Sequence, residues 1–502
     1  MSRMLLVLAV VISAMATGTA HADTLVVDIG GGGDHTAIQP ALDAAAEGDT
    51  VLVMPGTYIG ADNTNLDFAG TNVELRSTAG AAATIIDCED NTKAFSFLSG
   101  DAGPSCVIEG FTLTRGHATA GGLVYCWLSS PTFIDCVFSN SFAFDVGGAV
   151  YMCETTASFT GCDFYGNTSE HGGAVQVELA SPTFTGCNFS VNTSTEVAGG
   201  VDVIWEAFPI FTGCTFSNNS AATHGGGIRC YDHSSPALMN CYFTENSATG
   251  HGGGAFCDST SSPTLTDCHF TSNTAQVGGG LSCVGNSSPA VTNCTFTGNH
   301  KGGAYVDSSS PTFEGCSFLD NTAQHGAGAY CYLSLSTFTD CVFSGNYASG
   351  GTSDGGGIVC DLAPIELVNC TFSDNGADAG GGSVHCWNAD PVLTNCIIAF
   401  TTSGPALDCD EGTENPMLIC CNLFGNAGGD WVGCIADQSG VSNNLSADPL
   451  FCDRPVGDFT IDAASLCAAA HSGPCGLIGA LDVGCDSPVE AASWGSIKAM
   501  YR

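Results

Sequence analysis

Ser181-Pro-Thr-Phe184-Thr-Gly-Cys187-Asn-Phe189-Ser-Val-Asn192-Thr-Ser-Thr-Glu-Val-Ala-Gly199-Gly200 decides the fold of this chain. Apolar and polar residues alternate around Phe184 and again around Phe189, the two-residue period of a strand with one face turned inward. A Gly-Cys step separates the two strands, Asn192 follows Phe189 by three residues, and Gly199-Gly200 closes the unit. The unit recurs: Cys136, Cys162, Cys187, Cys214, Cys241, Cys268, Cys294, Cys316, Cys341 and Cys370, each two residues before Phe, are spaced by 26, 25, 27, 27, 27, 26, 22, 25 and 29 residues. A fixed period in this range marks a solenoid, whose units bury their apolar faces only against their neighbours.

Units of this length with Gly-rich turns, Thr/Phe/Val-rich stretches and no helical periodicity predict an all-β parallel β-helix with three short strands per coil. Coils stacked at ~4.8 Å bring equivalent residues into columns. The repeat predicts a Phe column from Phe138 to Phe372 as an aromatic spine, and an Asn column from Asn167 to Asn375 with amides bonded along the axis. Gly-Gly steps such as Gly252 to Gly254 supply sharp corners.

The pattern of these columns resembles the right-handed parallel β-helix of the pectin-lyase-like superfamily. Its Gly-Gly-(Ala/Ile) and Phe-x-x-Asn elements are similar to repeats of polymorphic outer-membrane protein passengers. Upstream, Asp34-His-Thr-Ala-Ile38-Gln39-Pro-Ala-Leu42 and the stretch to Tyr58 resemble the family's N-terminal helix and first strand. The resemblance implies the right-handed coil but no single activity, because the superfamily holds lyases, hydrolases, epimerases and proteins without catalysis. No family catalytic residue can be carried onto this chain.

The expected organisation is a signal peptide over 1–22, an N-terminal cap and first strand over 23–60, β-helix over 61–400, a Cys-rich C-terminal cap over 401–488 and a tail over 489–502. Arg3, the apolar run Met4 to Ala16 and Ala20-His21-Ala22 fit a leader cleaved near Ala22/Asp23, hence a secreted, periplasmic or cell-surface protein. No later apolar run reaches the ~20 residues of a membrane-spanning helix. The net charge of −41 repels nucleic acid and anionic membrane and attracts divalent cations.

The 29 cysteines fall into groups. One column precedes Phe. A second follows Gly-Gly at Cys126, Cys153, Cys230, Cys257, Cys283, Cys331, Cys360 and Cys386. Both are expected to be buried thiols acting as small apolar groups; the competing reading is cross-linking, as between Cys257 and Cys268. After Cys396 the period is expected to be lost, with disulfides among Cys409, Cys420, Cys421, Cys434, Cys452, Cys467, Cys475 and Cys485 stapling a cap over the last coil.

Candidate chemistry lies on the outward turns. Glu178, Glu206, Asp232, Asp258, Asp307 and Asp361 stand near the proline that opens each unit. In register, Asp232 and Asp258 would lie ~4.8 Å apart, where two carboxylates share a proton or Ca²⁺ and approach the ~5 Å separation of retaining glycosidases. The plain reading is a solvated acidic turn. Calcium is the one cofactor suggested, and these acids are its ligands. His171, His224, His251 and His325 precede Gly-Gly, and His224 with His251 on consecutive coils could chelate a transition metal.

Arg115, Arg229 and Lys301 are too scattered for the basic groove of a uronate lyase. Trp127, Trp205 and Trp387 are the candidate sugar-stacking platforms. The sequence therefore favours an exported non-enzymatic β-helix, structural or adhesive, or binding glycans and divalent cations, with polysaccharide or cell-surface partners. The alternative is a polysaccharide lyase or glycoside hydrolase with a groove along the stack, for which Asp232 and Asp258 are the weak catalytic candidates.

Overall fold

The computed structural model describes residues 22–352, 354–410 and 414–485, so nearly all of the expected leader and the whole tail lie outside the described residues. One coil shows the rule. Strands Thr183–Thr185, Asn188–Ser190, Thr193–Val197 and Val201–Ile204 follow each other around the axis. Each pairs in parallel with its equivalent one unit later, aligning Phe184 with Phe211, Phe189 with Phe216, Ser194 with Ala221 and Val203 with Cys230. Repetition builds sheets of 16, 15 and 13 parallel strands. The three expected faces are joined by a fourth, a narrow face of 6- and 3-stranded ladders between the Asn and the Gly-Gly of each unit.

The columns form as the repeat predicts. Phe138 to Phe372 stack with ring centroids 4.6–4.8 Å apart and planes within 8° of parallel. That distance is the strand spacing itself. Beside them runs the fully buried Asn ladder, in which each Nδ2 donates to the next Oδ1 at 2.9–3.1 Å. Asn219 Nδ2 also donates to the Phe189 carbonyl at 2.9 Å, and its Oδ1 accepts both the amide and the side chain of Asn192. Two donors and two lone pairs are satisfied at once, which no other side chain of that size can do.

The step before each cysteine also has a physical cause. Gly186, Gly213, Asn240, Asp267 and Asn293 all have φ between 52° and 61°, a left-handed corner that Gly, Asn and Asp tolerate. At the other corner, Gly252 has φ +64°, and a Cβ on Gly253 would meet the carbonyl oxygens of Gly279 and Thr274 at 2.6 Å. Successive coils pack backbone to backbone there.

Of the 29 cysteines, 23 are buried free thiols. Cys257 and Cys268 are both free, so the cross-turn bridge does not form. Two expectations are corrected. Cys153 stands opposite Trp127 and Glu178, one residue out of the second column, whose place Met152 takes; alternation turns it to the other face. The first column does not end at Cys396: Cys421 continues it, donating to the Leu393 carbonyl at 3.4 Å as Cys396 does to Leu367 at 3.5 Å. Burial pushes the thiols of Cys126 and Cys331 up to about 12. Such thiols stay protonated and inert near neutral pH. We expect alkylation to label almost nothing in the native protein and 23 thiols per chain after unfolding without reductant; a markedly lower count would mean the columns are oxidised.

Ladders run from Thr24 to Phe424, wider at both ends than the expected 61–400. At the N-terminal end, the helix Ile38–Ala44 covers the stack with Ile38, Ala41 and Leu42 buried in the common core. At the other end Ile435 joins that core, and Asn444 Oδ1 accepts the Cys421 amide at 2.9 Å, closing the last coil. Residues 451–485 do something else. They fold back along the outside of the 15-stranded sheet, burying Ile461, Cys467 and Ile478 against Ile397 and Ala399. Disulfides Cys420–Cys475 and Cys452–Cys485 hold this region and Cys409–Cys434 staples the last coil, while Cys421 and Cys467 remain free.

Candidate functional site

The 13-stranded sheet carries the richest outer face. In its strands Val124–Trp127, Val150–Cys153, Val175–Glu178, Val201–Ile204 and Ile228–Tyr231, alternation sends the first and third residues into the core. The second residues form an outward row, Tyr125, Tyr151, Gln176, Asp202 and Arg229, and the fourth a parallel row of Trp127, Cys153, Glu178, Ile204 and Tyr231. Val146 and His171 of the narrow face rise on one side and Trp205 on the other, leaving a groove of about 500 Å³.

Its floor is polar. Asp202 is fully buried and receives two hydrogen bonds from the Arg229 guanidinium, at 2.7 and 2.8 Å. Burial works against the Arg229 charge, but Asp202 outweighs it and holds the group above its ordinary value. Tyr151 donates to Glu178 Oε2 at 2.8 Å. Burial raises the Glu178 carboxyl, Tyr151 offsets part of this, and the Asp145 and Asp202 charges add to it. Gln176 is 3% exposed, and its Oε1 has no hydrogen-bond partner. Buried acceptors rarely go unpaired.

Along the same face a second depression, about 440 Å³, is lined by Gln276, Lys301, Tyr305, His325 and Tyr330.

The sequence candidates distribute unevenly over this surface. Glu178, Asp258, Asp307 and Asp361 fall in one column, interrupted by Ile204 and Tyr231, then Val284, then Tyr332. Glu206 and Asp232 do not join it, because they sit at left-handed corner positions with φ of 55° and 52°. Cys230 aligns with Cys257, so Tyr231 and not Asp232 lies beside Asp258. The expected carboxylate pair at one strand spacing is therefore not formed: the two acids are 26 residues apart where the local period is 27, so Asp232 stands one residue farther into the turn than Asp258.

His224 and His251 do lie on consecutive coils, rings 5.1 Å apart. His224 Nδ1, however, accepts the His251 amide at 3.1 Å, leaving Nε2 to any ligand. Burial lowers both imidazoles, for His224 with help from the His251 charge. His171 stands 3.8 Å from Glu196, and with Asp145 and Glu170 it brings one ligand atom each within 4.8 Å of one another. Trp127 and Trp205 are 39% and 46% exposed, whereas Trp387 is half-buried against the rings of His325 and His385.

Sequence reading missed Gln176, Asp202, Tyr151 and His385, since outward residues of a strand read as solvated. One signal was available: Asp202 and Arg229, opposite charges 27 residues apart, share one position of the repeat.

The right-handed β-helix class that fold and face define agrees with the comparisons. The family profile described as "Right handed beta helix region" matches residues 122–291 and 279–446, more than half of the chain, which belongs to that family. Characterised protein sequences give no match. Among solved structures the chain is similar to tailspike protein 3 of bacteriophage CBA120 (15% identity, TM-score 0.41, 76% of this chain and 58% of that one). It is also similar to the A-module of the Azotobacter vinelandii mannuronan C-5 epimerase AlgE6 (15% identity, TM-score 0.32, 70% and 93%). A third similar structure is pectate lyase Pel9A (12% identity, TM-score 0.26, 92% and 96%). This chain thus spans under two thirds of the tailspike's length. Among the described residues no helix is long and apolar enough to cross a membrane.

Proposed function

We propose that the protein is an exported β-helix that binds a carbohydrate chain lying lengthwise in the groove of the 13-stranded sheet, without turning it over. The observation that carries this reading is the groove of about 500 Å³ in which exposed Trp205 and half-buried tyrosines stand beside the polar side chains of Gln176 and Glu178. Sugars offer hydroxyls for such polar side chains and apolar C–H faces for rings. The long straight face suits a polymer, since each further coil repeats the contact surface. With a chain charge of −41, a neutral glycan is the better ligand, and an acidic one would need calcium between it and the acids of the rim.

A second reading rests on Glu178. A carboxyl raised by burial and bonded to Tyr151 has the character of a general acid.

Both are tested by a glycan array with and without EDTA, run beside reducing-sugar and unsaturated-uronate assays. We expect binding without product release, and Trp205→Ala and Gln176→Leu each to weaken it about tenfold, equivalent to ~1.4 kcal/mol. Unchanged affinity in both variants would refute the groove. Turnover that disappears in Glu178→Gln would establish the hydrolase or lyase reading in its place.

A further inference from the structure

One wall of the groove carries metal-ligating groups that take no part in the proposed glycan contacts. Asp145, Glu170 and His171 bring one ligand atom each within 4.8 Å of one another, and Glu196 Oε2 lies 3.8 Å from His171 Nε2. Their placement follows from register. His171 pairs with Val146 on one neighbouring strand and Val197 on the other, so Asp145, Glu170 and Glu196 each stand one residue before these partners in three consecutive coils. The coils on either side carry Thr119 and Thr223 at that step. The acids are a local feature and not a property of the repeat.

The backbone here departs from the plain ladder. Phe142–Val146 and Thr193–Val197 are each one residue longer than Thr168–His171 between the same paired positions, and the register shifts on both sides of the shorter strand. An extra residue of this kind re-aims the side chains beside it. A Cβ on Gly173 would meet the Gly199 carbonyl oxygen at 2.2 Å, so the corner after His171 is packed backbone to backbone and fixes the end of the strand. The side chains are held less. Among the described residues, neither the Asp145 nor the Glu170 carboxylate has a hydrogen-bond donor or an Arg or Lys partner, and His171 Nε2 stands beyond hydrogen-bond reach of Glu196. Two carboxylates held this near each other without a donor repel, and a cation between them removes that cost. Ligands ~2.1 Å from a metal stand ~3.4 Å apart, a closure that the exposed side chains of Asp145 and Glu170 permit.

We propose that Asp145, Glu170 and His171 form an open, three-ligand site for a divalent transition metal of the zinc class, with Glu196 beside the imidazole. One imidazole nitrogen and two carboxylate oxygens suit zinc or cobalt, whereas calcium takes oxygen ligands. Three protein ligands leave a coordination position for water or for a hydroxyl of a bound molecule. Asp145 and His171 line the groove, so the ion would stand at its edge. The assignment rests on this cluster alone and holds whatever the groove binds.

The test is calorimetric titration of the full chain with Zn²⁺ in excess Ca²⁺, which occupies sites built from carboxylates alone. One equivalent of zinc is expected to bind. Asp145→Asn and Glu170→Gln, isosteric changes at exposed positions, and His171→Gln should each weaken it by more than the about tenfold that loss of an outer-shell partner costs. His233→Gln, at an exposed histidine beside Asp232, should bind as the parent does, and circular dichroism should be the same for all. Co²⁺ in place of zinc should bind with the same stoichiometry and give no thiolate charge-transfer band. Absence of stoichiometric zinc, unchanged affinity in any of the three ligand variants, loss of zinc in His233→Gln, or a thiolate band would each overturn the assignment.

Discussion

Arg229→Ala is expected to destabilise the protein by about 3–5 kcal/mol, because it leaves the fully buried Asp202 carboxylate without a counter-charge. Asp202 sits between Gln176 and Arg229 in the outward row with Gly172 packed against its Cβ, and the guanidinium is the cation bonded to it. Asp202→Val with Arg229→Met removes both charges and keeps the volume, so it should recover most of the loss. Urea unfolding of the two variants measures this directly. Equal destabilisation in both would mean that the floor is held by packing and that the ion pair matters little. Glycan binding should fall in Arg229→Ala even below its unfolding midpoint, as the floor distorts around the unpaired acid.

Asn246→Leu should cost about 4 kcal/mol, though the two side chains have nearly the same shape. Asn246 Oδ1 accepts the amide and the Nδ2 of Asn219, and its own Nδ2 donates to the Phe216 carbonyl at 2.8 Å and to Asn273 Oδ1 at 3.0 Å. Leucine would strand a backbone N–H, a carbonyl and two amides where water does not reach, at about 1–3 kcal/mol for each group left unsatisfied. Neighbouring amides can recover part of that by shifting. In a solenoid the damage stays local, since each coil contacts only the next. Hydrogen exchange should therefore lose protection across residues 216–273 and keep it near Asn346. Uniform loss over the whole chain would contradict nearest-neighbour stacking. The stacked phenylalanines beside this ladder, fully buried and without polar demands, tolerate exchange for another large apolar group better than the asparagines do.

Two columns were legible from residue order because they answer to local rules. Asn at a fixed step after Phe and Gly, Asn or Asp before Cys record a hydrogen-bond ladder and a left-handed corner, both set within a single coil and repeated. The acids and the cysteines near Gly-Gly were read less well. Their spacing departs by one residue from the local period, which itself varies between units, and one residue of offset reverses a side chain's face. Hence Cys153 left its column, and Asp232 missed Asp258.

The amino-acid order by itself determined that coils stack, which residues form the spine, and that most cysteines serve as buried apolar groups, since period and alternation are properties of one unit. Only the tertiary structure decided which outward residues are covered. Asp202, Gln176 and His385 look solvated in a single strand and become buried because the neighbouring coils and the narrow fourth face close around them. Burial of that kind is a property of several coils together, and it is what turns a polar row into a candidate site.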